Sequence, residues 1–452
     1  MAHIILPPEL ISRILGYVHD TCTLEDRRDL VSCSSVSCAW HDLTQPWLFR
    51  EVSFTYDTGS QDTSLDIADD EGADEAAAQE SRGVPVVPGK TKNLMSFLSF
   101  LRSCSAKANA VRELWLIADQ SAVRGNFTDP SLFMQILQHL PHLHVLHVTD
   151  VLFTGPTEMV IQALADTGYR RIVLDQLYYT TTLSMLASVI KFHQPDVINA
   201  DRIAWLWGLF QHIRELYMHT SAVLTLGGPE LDFMRPTVEK VVVRANPPYD
   251  ACHVLRIELQ AVRCMDLGTF STGDMAIIGE LLSRATSLED LSCDISVIHP
   301  LYFGMTSSEA RHGLGMIRSR KLRTITLSGV FLVNASIHVA TDILSRVLHG
   351  LRALQAANAP TVDQLPLSVH IVFCNEIASS SEDFERIAEK ARLMNGSLLD
   401  TLEKLLLQFT NPQHGVAPIK LRLSHSLYTK EQCRIIAASI FPRLQAMNAE
   451  FD

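Results

Sequence analysis

Five side chains near the front of the chain are of the types that bind zinc: His19, Cys22, Cys33, Cys38 and His41. They are spaced His19-x-x-Cys22, Cys33-x-x-x-x-Cys38 and Cys38-x-x-His41. Structural zinc takes thiolates and imidazoles in fours, supplied by short knuckles. These spacings make no pair of knuckles. Cys33 also lies in an apolar helical pattern, where a free thiol packs as a small hydrophobe. The group therefore reads as helix packing, and no metal is assigned. A second group, His139, His142, His144 and His147, has no carboxylate-rich or cysteine companion. It reads as surface histidines beside a strand, with His142 and His144 on one strand face.

Covalent and phosphate chemistry leave no trace. The chain lacks G-x-S-x-G, the P-loop pattern, G-x-G-x-x-G and H-E-x-x-H. Gly227-Gly228-Pro229 reads as a turn. Trp205 and Trp207, with Phe210, are packing residues or a recognition anchor. No catalytic residue and no cofactor is assigned, and the common soluble hydrolase, kinase and dehydrogenase readings are removed.

The elements that must position these residues belong to a chain of 452 residues, of which 47% are hydrophobic, with a net charge of -12. That is enough for two to three domains or one elongated repeat array. The acidic balance, with no dense Lys/Arg run, argues against nucleic acid as a partner. Nine scattered cysteines fit reduced thiols, hence cytoplasm or nucleus, better than a disulfide framework. No signal-peptide pattern and no membrane-length apolar run is found. The N-x-Ser/Thr triplets at Asn126, Asn334 and Asn395 then read as chance matches.

The front of the chain is helical in pattern. Pro7 and Pro8 suit the first turn of a helix. Leu10, Ile11, Ile14, Leu15 and Val18 come next at amphipathic spacing. His19 to Asp29 is a polar joint, and Leu30, Val31, Cys33 and Val36 make a second apolar face. So small a bundle is marginal alone and should lean on a neighbour or a partner. Residues 51–56 alternate Val52, Phe54 and Tyr56 with polar neighbours, a strand signal. From Asp57 to Glu80 come nine carboxylates with no Lys or Arg. Self-repulsion predicts a disordered acidic insertion over 57–93.

From residue 94 to 452 a weak Leu-x-x-Leu-x-Leu template recurs. It stands at Val111-Leu114-Leu116, Leu143-Leu146-Val148, Tyr169-Ile172-Leu174, Ile213-Leu216-Met218 and Val238-Val241-Val243. It returns at Val262-Met265-Leu267, Leu288-Leu291-Cys293, Leu322-Ile325-Leu327 and Leu402-Leu405-Leu407. Further strands are expected at Val369 to Phe373 and Ile419 to Leu423. Most starts fall near the roughly 20–29 residues of a leucine-rich repeat. Helical patterns lie between them at Pro130–Leu140, Met275–Ala285 and Ser336–Leu351, and after the capping box at Thr429. Stacked strand–helix units predict an α/β fold, an irregular leucine-rich-repeat-like solenoid; a closed α/β domain is the alternative.

One resemblance is specific. Leu6, Pro7, Glu9, Leu10, Ile14 and Leu15 match the opening Leu-Pro-x-Glu-Leu helix of the F-box. Val36, Trp40, Leu43, Pro46, Leu48 and Phe49 match its second half. The spelling Cys-x-x-Val-x-Cys-Ala-Trp, then Leu-Phe-Arg-x-Val, resembles F-box-like proteins of mushroom-forming fungi. Ser37 stands where cysteine is usual, Cys38 where arginine is usual, and the joint is longer than average. The resemblance implies a three-helix F-box over 1–50, the first strand of the repeat region at 51–56, the acidic insertion 57–93, and a repeat domain over 94–452. It implies that these twelve residues make or support the contact with a Skp-type adaptor, which connects to a cullin scaffold. The chain would then be the substrate receptor of an SCF-type ubiquitin ligase, with its repeat domain holding an unknown target. The alternatives are an F-box-like scaffold outside ubiquitin ligation and, further off, a divergent α/β enzyme.

Overall fold

The computed structural model describes residues 6–21, 28–57, 94–119, 128–151, 171–180, 206, 208–220, 235–245, 257–269, 282–294, 319, 321–331, 337, 340–341, 343–345, 347–348, 367–374, 384–409, 419–424, 429–446 and 450–451. Asp57, the first residue of the expected acidic insertion, ends a strand; the rest of the insertion, Cys22, Trp205 and Trp207 lie outside the described residues, as do Tyr169, Gly227 to Pro229 and most of the helix expected at Met275–Ala285. Two compact units are present. The first holds residues 1–211 with 227–229, and the second holds 212–226 and 230–452.

The first unit opens with three helices, α1 (Pro8–Thr21), α2 (Arg28–Ser34) and α3 (Cys38–Leu48). Strand β1 (Glu51–Asp57) comes next, then α4 (Leu94–Ser103) and α5 (Ser105–Ala110). The unit continues with β2 (Glu113–Asp119), α6 (Pro130–Gln138), β3 (Val145–Thr149) and β4 (Ile172–Thr180). Each strand pairs in parallel with the next one in sequence. A parallel pair needs a crossover to return the chain, and α4–α6 supply it. The inward residues stack in rows: Val52, Leu114, Leu146 and Leu177, then Phe54, Leu116, Val148 and Tyr179, all buried. Phe97 of α4 lies 4.6 Å from Phe54 and closes the core from the helix side. Asp129 caps α6 by accepting from the Ser131 N–H at 2.8 Å. Asp150 ends β3 with φ 57°, a left-handed turn that aspartate tolerates.

The register corrects one expectation. Leu146 pairs with Leu177 and Val148 with Tyr179, so the repeat in β4 reads Leu174-Leu177-Tyr179, not Tyr169-Ile172-Leu174. Both spellings fit the template, and pairing with β3 decides between them.

The second unit begins within β5 (Phe210–Thr220) and adds β6 (Thr237–Ala245), β7 (Cys264–Thr269) and β8 (Asp290–Asp294). Then come β9 (Thr324–Phe331), β10 (Ser368–Cys374), β11 (Ile419–Ser424) and a two-residue β12 (Glu450–Phe451). These too run parallel in chain order. Leu216, Val241, Met265, Leu291, Ile325, Val369 and Ile419 form one buried row. In each unit, parallel strands stacked in sequence order give a solenoid-like arrangement. The expected strands at Val369 to Phe373 and Ile419 to Leu423 are β10 and β11. Gly329, at φ 69°, absorbs a bulge where β9 slips against β10.

Leu402-Leu405-Leu407 is not a strand. It lies in α7 (Phe384–Phe409), a helix kinked at Asn395. Ala391, Leu399, Leu402 and Leu406 are buried at helical spacing. Glu403 is buried among them because its carboxylate accepts the Arg443 and Leu444 N–H groups at 2.7 and 3.3 Å. That holds the start of α9 (Pro442–Ala446). Helix α8 (Lys430–Ile440) starts with the expected capping box between Thr429 and Gln432. The described residues between 337 and 348 are helical, with Ile343, Leu344 and Val347 buried.

Candidate interaction site

Helix α1 carries apolar side chains on two faces. The Pro7 carbonyl accepts the Leu10 and Ile11 N–H groups and starts the helix. On the inner face Ile11 and Leu15 pack with Leu30 of α2 into a small buried core. Val18, Cys33, Trp40, Leu43, Trp47 and Leu48 pack around it. On the outer face Leu10 (46% exposed), Ile14 and Tyr17 form a stripe, continued before the helix by Leu6. Leu10, Ile14 and Tyr17 keep the i, i+4, i+7 spacing of one helix side. Val31 and Val36, from α2 and the turn after it, are exposed as well.

Burying Ile11, Leu15 and Leu30 is worth about 1.5–3 kcal/mol each. That is thin for three helices, and the bundle leans on α4, α5 and the first strand pair. Phe49 sits 6.2 Å from Phe100 of α4, and the Lys107 ammonium of α5 lies 4.7 Å above the Phe49 ring. The Arg50 carbonyl accepts the Arg112 and Glu113 N–H groups, so the end of the bundle is tied into β1 and β2. Ser37 caps α3: its hydroxyl accepts the Trp40 N–H at 3.3 Å. Serine at this position is the residue type a helix start prefers.

The twelve residues singled out in the sequence divide three ways. Leu6, Pro7, Glu9, Leu10, Ile14, Val36 and Pro46 are exposed. Trp40, Leu43, Leu48 and Phe49 are half-buried and join the bundle's packing or its junction with α4. Leu15 is wholly buried, so it supports the outer stripe from behind. Tyr17 and Val31 belong with the exposed set, although neither is among the twelve. The signal for Tyr17 is present in the sequence: seven residues past Leu10, it continues the stripe.

The zinc-type residues are dispersed among other tasks. The His19 ring lies 5.4 Å from that of Trp47, with its Nε2 3.4 Å from Glu51. Cys33 packs against the bundle core, Cys38 is exposed, and His41 contacts the Gln45 amide. Among the described residues no cluster of three or more His, Cys, Asp or Glu could hold a metal. Cys33, Cys38, Cys104, Cys264, Cys293 and Cys433 are free thiols. Gly16 lets Trp47 close on α1, since a Cβ there would stand 3.3 Å from the indole. Beside Trp47 opens a cavity of about 560 Å³, lined among others by His19, Arg50, Arg112, Glu113 and Asp175. Its walls carry both signs of charge.

The histidines before β3 depart from expectation. His142 and His144 precede the strand and do not share a strand face. His144 pairs with Asp175 at 3.3 Å. His147 is no surface group: only 9% exposed, it is clamped between Trp115 and Tyr178. The repeated spellings Glu113-Leu-Trp115 and Gln176-Leu-Tyr178 could have revealed the ring row, because the polar and aromatic residues bracket an inward leucine.

Among the described residues no helix is long and apolar enough to cross a membrane. No curated protein matches the chain at a significant level. Residues 4–55 match the family model described as F-box-like, a span that takes in α1, α2, α3 and most of β1. The front of the chain therefore carries an F-box-like domain, a bundle with one apolar face packed inward and another turned to solvent.

Proposed function

We propose that this chain is the substrate-receptor subunit of an SCF-type ubiquitin ligase. The outer stripe of α1, with Val31 and Val36, docks on a Skp-type adaptor, which joins the receptor to a cullin scaffold. The solenoid-like strands after the bundle hold the target protein. The chain performs no bond chemistry in this role. It raises the effective concentration of target lysines near a charged ubiquitin-conjugating enzyme, by bridging two partners at a productive distance.

The observation that carries the reading is the outer stripe itself. Leu10, Ile14 and Tyr17 are exposed on a helix whose opposite face already fills the bundle core, and Leu6 is exposed just before it. Contiguous exposed apolar surface of this kind marks an interaction face, and it lies within the span that matches the F-box-like family. The test is capture of the adaptor and cullin by the tagged full chain, with and without Leu10→Asp. Adaptor and cullin retained by the wild type and lost with Leu10→Asp is the expected result. A wild type that captures no adaptor refutes the proposal, and one that captures adaptor without cullin makes it a scaffold outside ubiquitin ligation.

A further inference from the structure

We propose that the open face of Trp115 is a slot for an arginine side chain of the target protein; that the occupant belongs to a target rests on the receptor reading above. The slot ends a column of rings on the outward face of the first unit's strands. Trp115 of β2 pairs with His147 of β3, and His147 with Tyr178 of β4. Their rings stack at 3.5 and 4.3 Å between centroids, each pair within 6° of parallel. Hydrogen bonds from the same rows hold them. One Glu113 oxygen lies 2.8 Å from the Trp115 Nε1–H donor and 3.0 Å from the His147 Nε2. The Tyr178 hydroxyl donates to the Gln176 side-chain oxygen at 3.2 Å. The column is therefore set before anything binds, and little side-chain entropy remains to be lost.

On β1 the row continues at Ser53, which pairs with Trp115. Serine has no ring to extend the stack, so the second face of Trp115 looks out over a small side chain. Among the described residues no ring lies against that face. An indole face attracts cations. A guanidinium is both cationic and planar, so it can stack where an ammonium cannot. Along the strands themselves the charge beside the slot is acidic, with Arg50 and Arg112 lying just before them. Glu51 and Glu113 stand two residues upstream on the two strands that bound it. The paired outward positions of β1–β4 from Glu51 to Thr55, Glu113 to Ile117, Val145 to Thr149 and Gln176 to Thr180 carry no Lys or Arg.

The experiment uses the full chain labelled with 5-fluorotryptophan and read by fluorine NMR. The Trp115 signal is identified by its loss in Trp115→Phe. The probes are Nα-acetylarginine amide and its neutral isostere, Nα-acetylcitrulline amide. The arginine probe is expected to shift the Trp115 signal saturably, about threefold to thirtyfold more tightly than citrulline, the span of one cation–π contact. Ser53→Phe, which fills the slot, is expected to abolish the shift. No saturable shift with arginine, or an equal response to citrulline, overturns the proposal, and both are read on the wild type whether or not Ser53→Phe folds. Adaptor capture on the same sample separates the two readings. Adaptor bound with no Trp115 shift overturns the slot alone, and a Trp115 shift with no adaptor bound upholds the slot while refuting the receptor.

Discussion

Leu10 and Leu15 are five residues apart in one helix, and truncating each should damage a different property. Leu15 is 0% exposed and packs with Ile11 and Leu30. Leu15→Ala removes core contacts and leaves a hole, which costs about 2–5 kcal/mol. For a unit of roughly 200 residues each kcal/mol is worth about 2–4 °C, so Tm should fall by about 4–20 °C. Leu10 keeps 46% of its surface in the isolated chain. Leu10→Ala should therefore change stability by about 0.5 kcal/mol or less. Docking on the adaptor would bury what remains, about half of a leucine's 1.5–3 kcal/mol, or about 0.7–1.4 kcal/mol. That is about threefold to tenfold in Kd. Leu10→Asp forces a carboxylate into the same contact without a partner, adding a few kcal/mol and weakening binding by about a hundredfold or more. Thermal unfolding of the free chain and calorimetric titration with a Skp-type adaptor measure the two quantities separately. If Leu10→Ala lowers Tm as far as Leu15→Ala does, the two-faced description of α1 is wrong. If Leu10→Asp binds the adaptor with wild-type affinity, the outer stripe is not the interface.

Ser37→Ala removes the hydroxyl that accepts the Trp40 N–H and should cost about 0.5–2 kcal/mol, seen as faster hydrogen exchange in the first turn of α3. Gly268→Ala places a Cβ 2.8 Å from the Val243 carbonyl oxygen of the neighbouring strand. Backbone cannot swing aside as a side chain can, so a loss of about 1–3 kcal/mol is expected in urea unfolding of the second unit; an unchanged midpoint would count against this β6–β7 spacing. The Arg263 guanidinium, bonded to Glu289 at 2.9 Å, holds that carboxyl below its ordinary 4.5. A folded pKa below the unfolded one means the pair's contribution is complete above about pH 5 and is lost as pH falls through the folded value. Glu289→Gln should flatten that acid limb of the stability profile and leave the alkaline limb as it is; an acid limb of unchanged slope refutes the assignment.

How much of the fold is legible in the sequence depends on how many structures one spacing allows. The strand rows can be read because their inward leucines alternate at period two with polar or aromatic residues, as in Glu113-Leu114-Trp115-Leu116. Leu402-Leu405-Leu407 satisfies the same template, yet the residues around it, Leu399 and Leu406 among them, repeat at helical period. A three-position template is blind to that difference. Glu403 makes the strand reading more attractive, since it looks like an outward polar residue. It is buried instead, because the N–H groups at the start of α9 arrive from forty residues away, and no local pattern announces them. The β4 spelling fails for a related reason. Ile172 and Leu174 are as good locally as Leu177 and Tyr179, and only pairing with β3 selects the second.

The front bundle is legible to a greater depth for the opposite reason. Its residues must satisfy two surfaces at once, so its spelling is more constrained than either surface alone requires. A helix with one apolar stripe needs only Ile11, Leu15 and Val18. Leu10 and Ile14 are exposed in the free chain while Ile11 and Leu15 fill the core, and exposed apolar groups carry a solubility cost. Under the receptor proposal their presence is information about the adaptor. The same logic applies to the outward row at Trp115. An aromatic ring there adds nothing to the inward core formed by Leu114 and Leu116, yet Glu113, His147 and Tyr178 are arranged to hold it in one orientation. The two proposals rest on the same physical ground: at the outer stripe of α1 and at the free end of the ring column, side chains are present that the inward packing does not use.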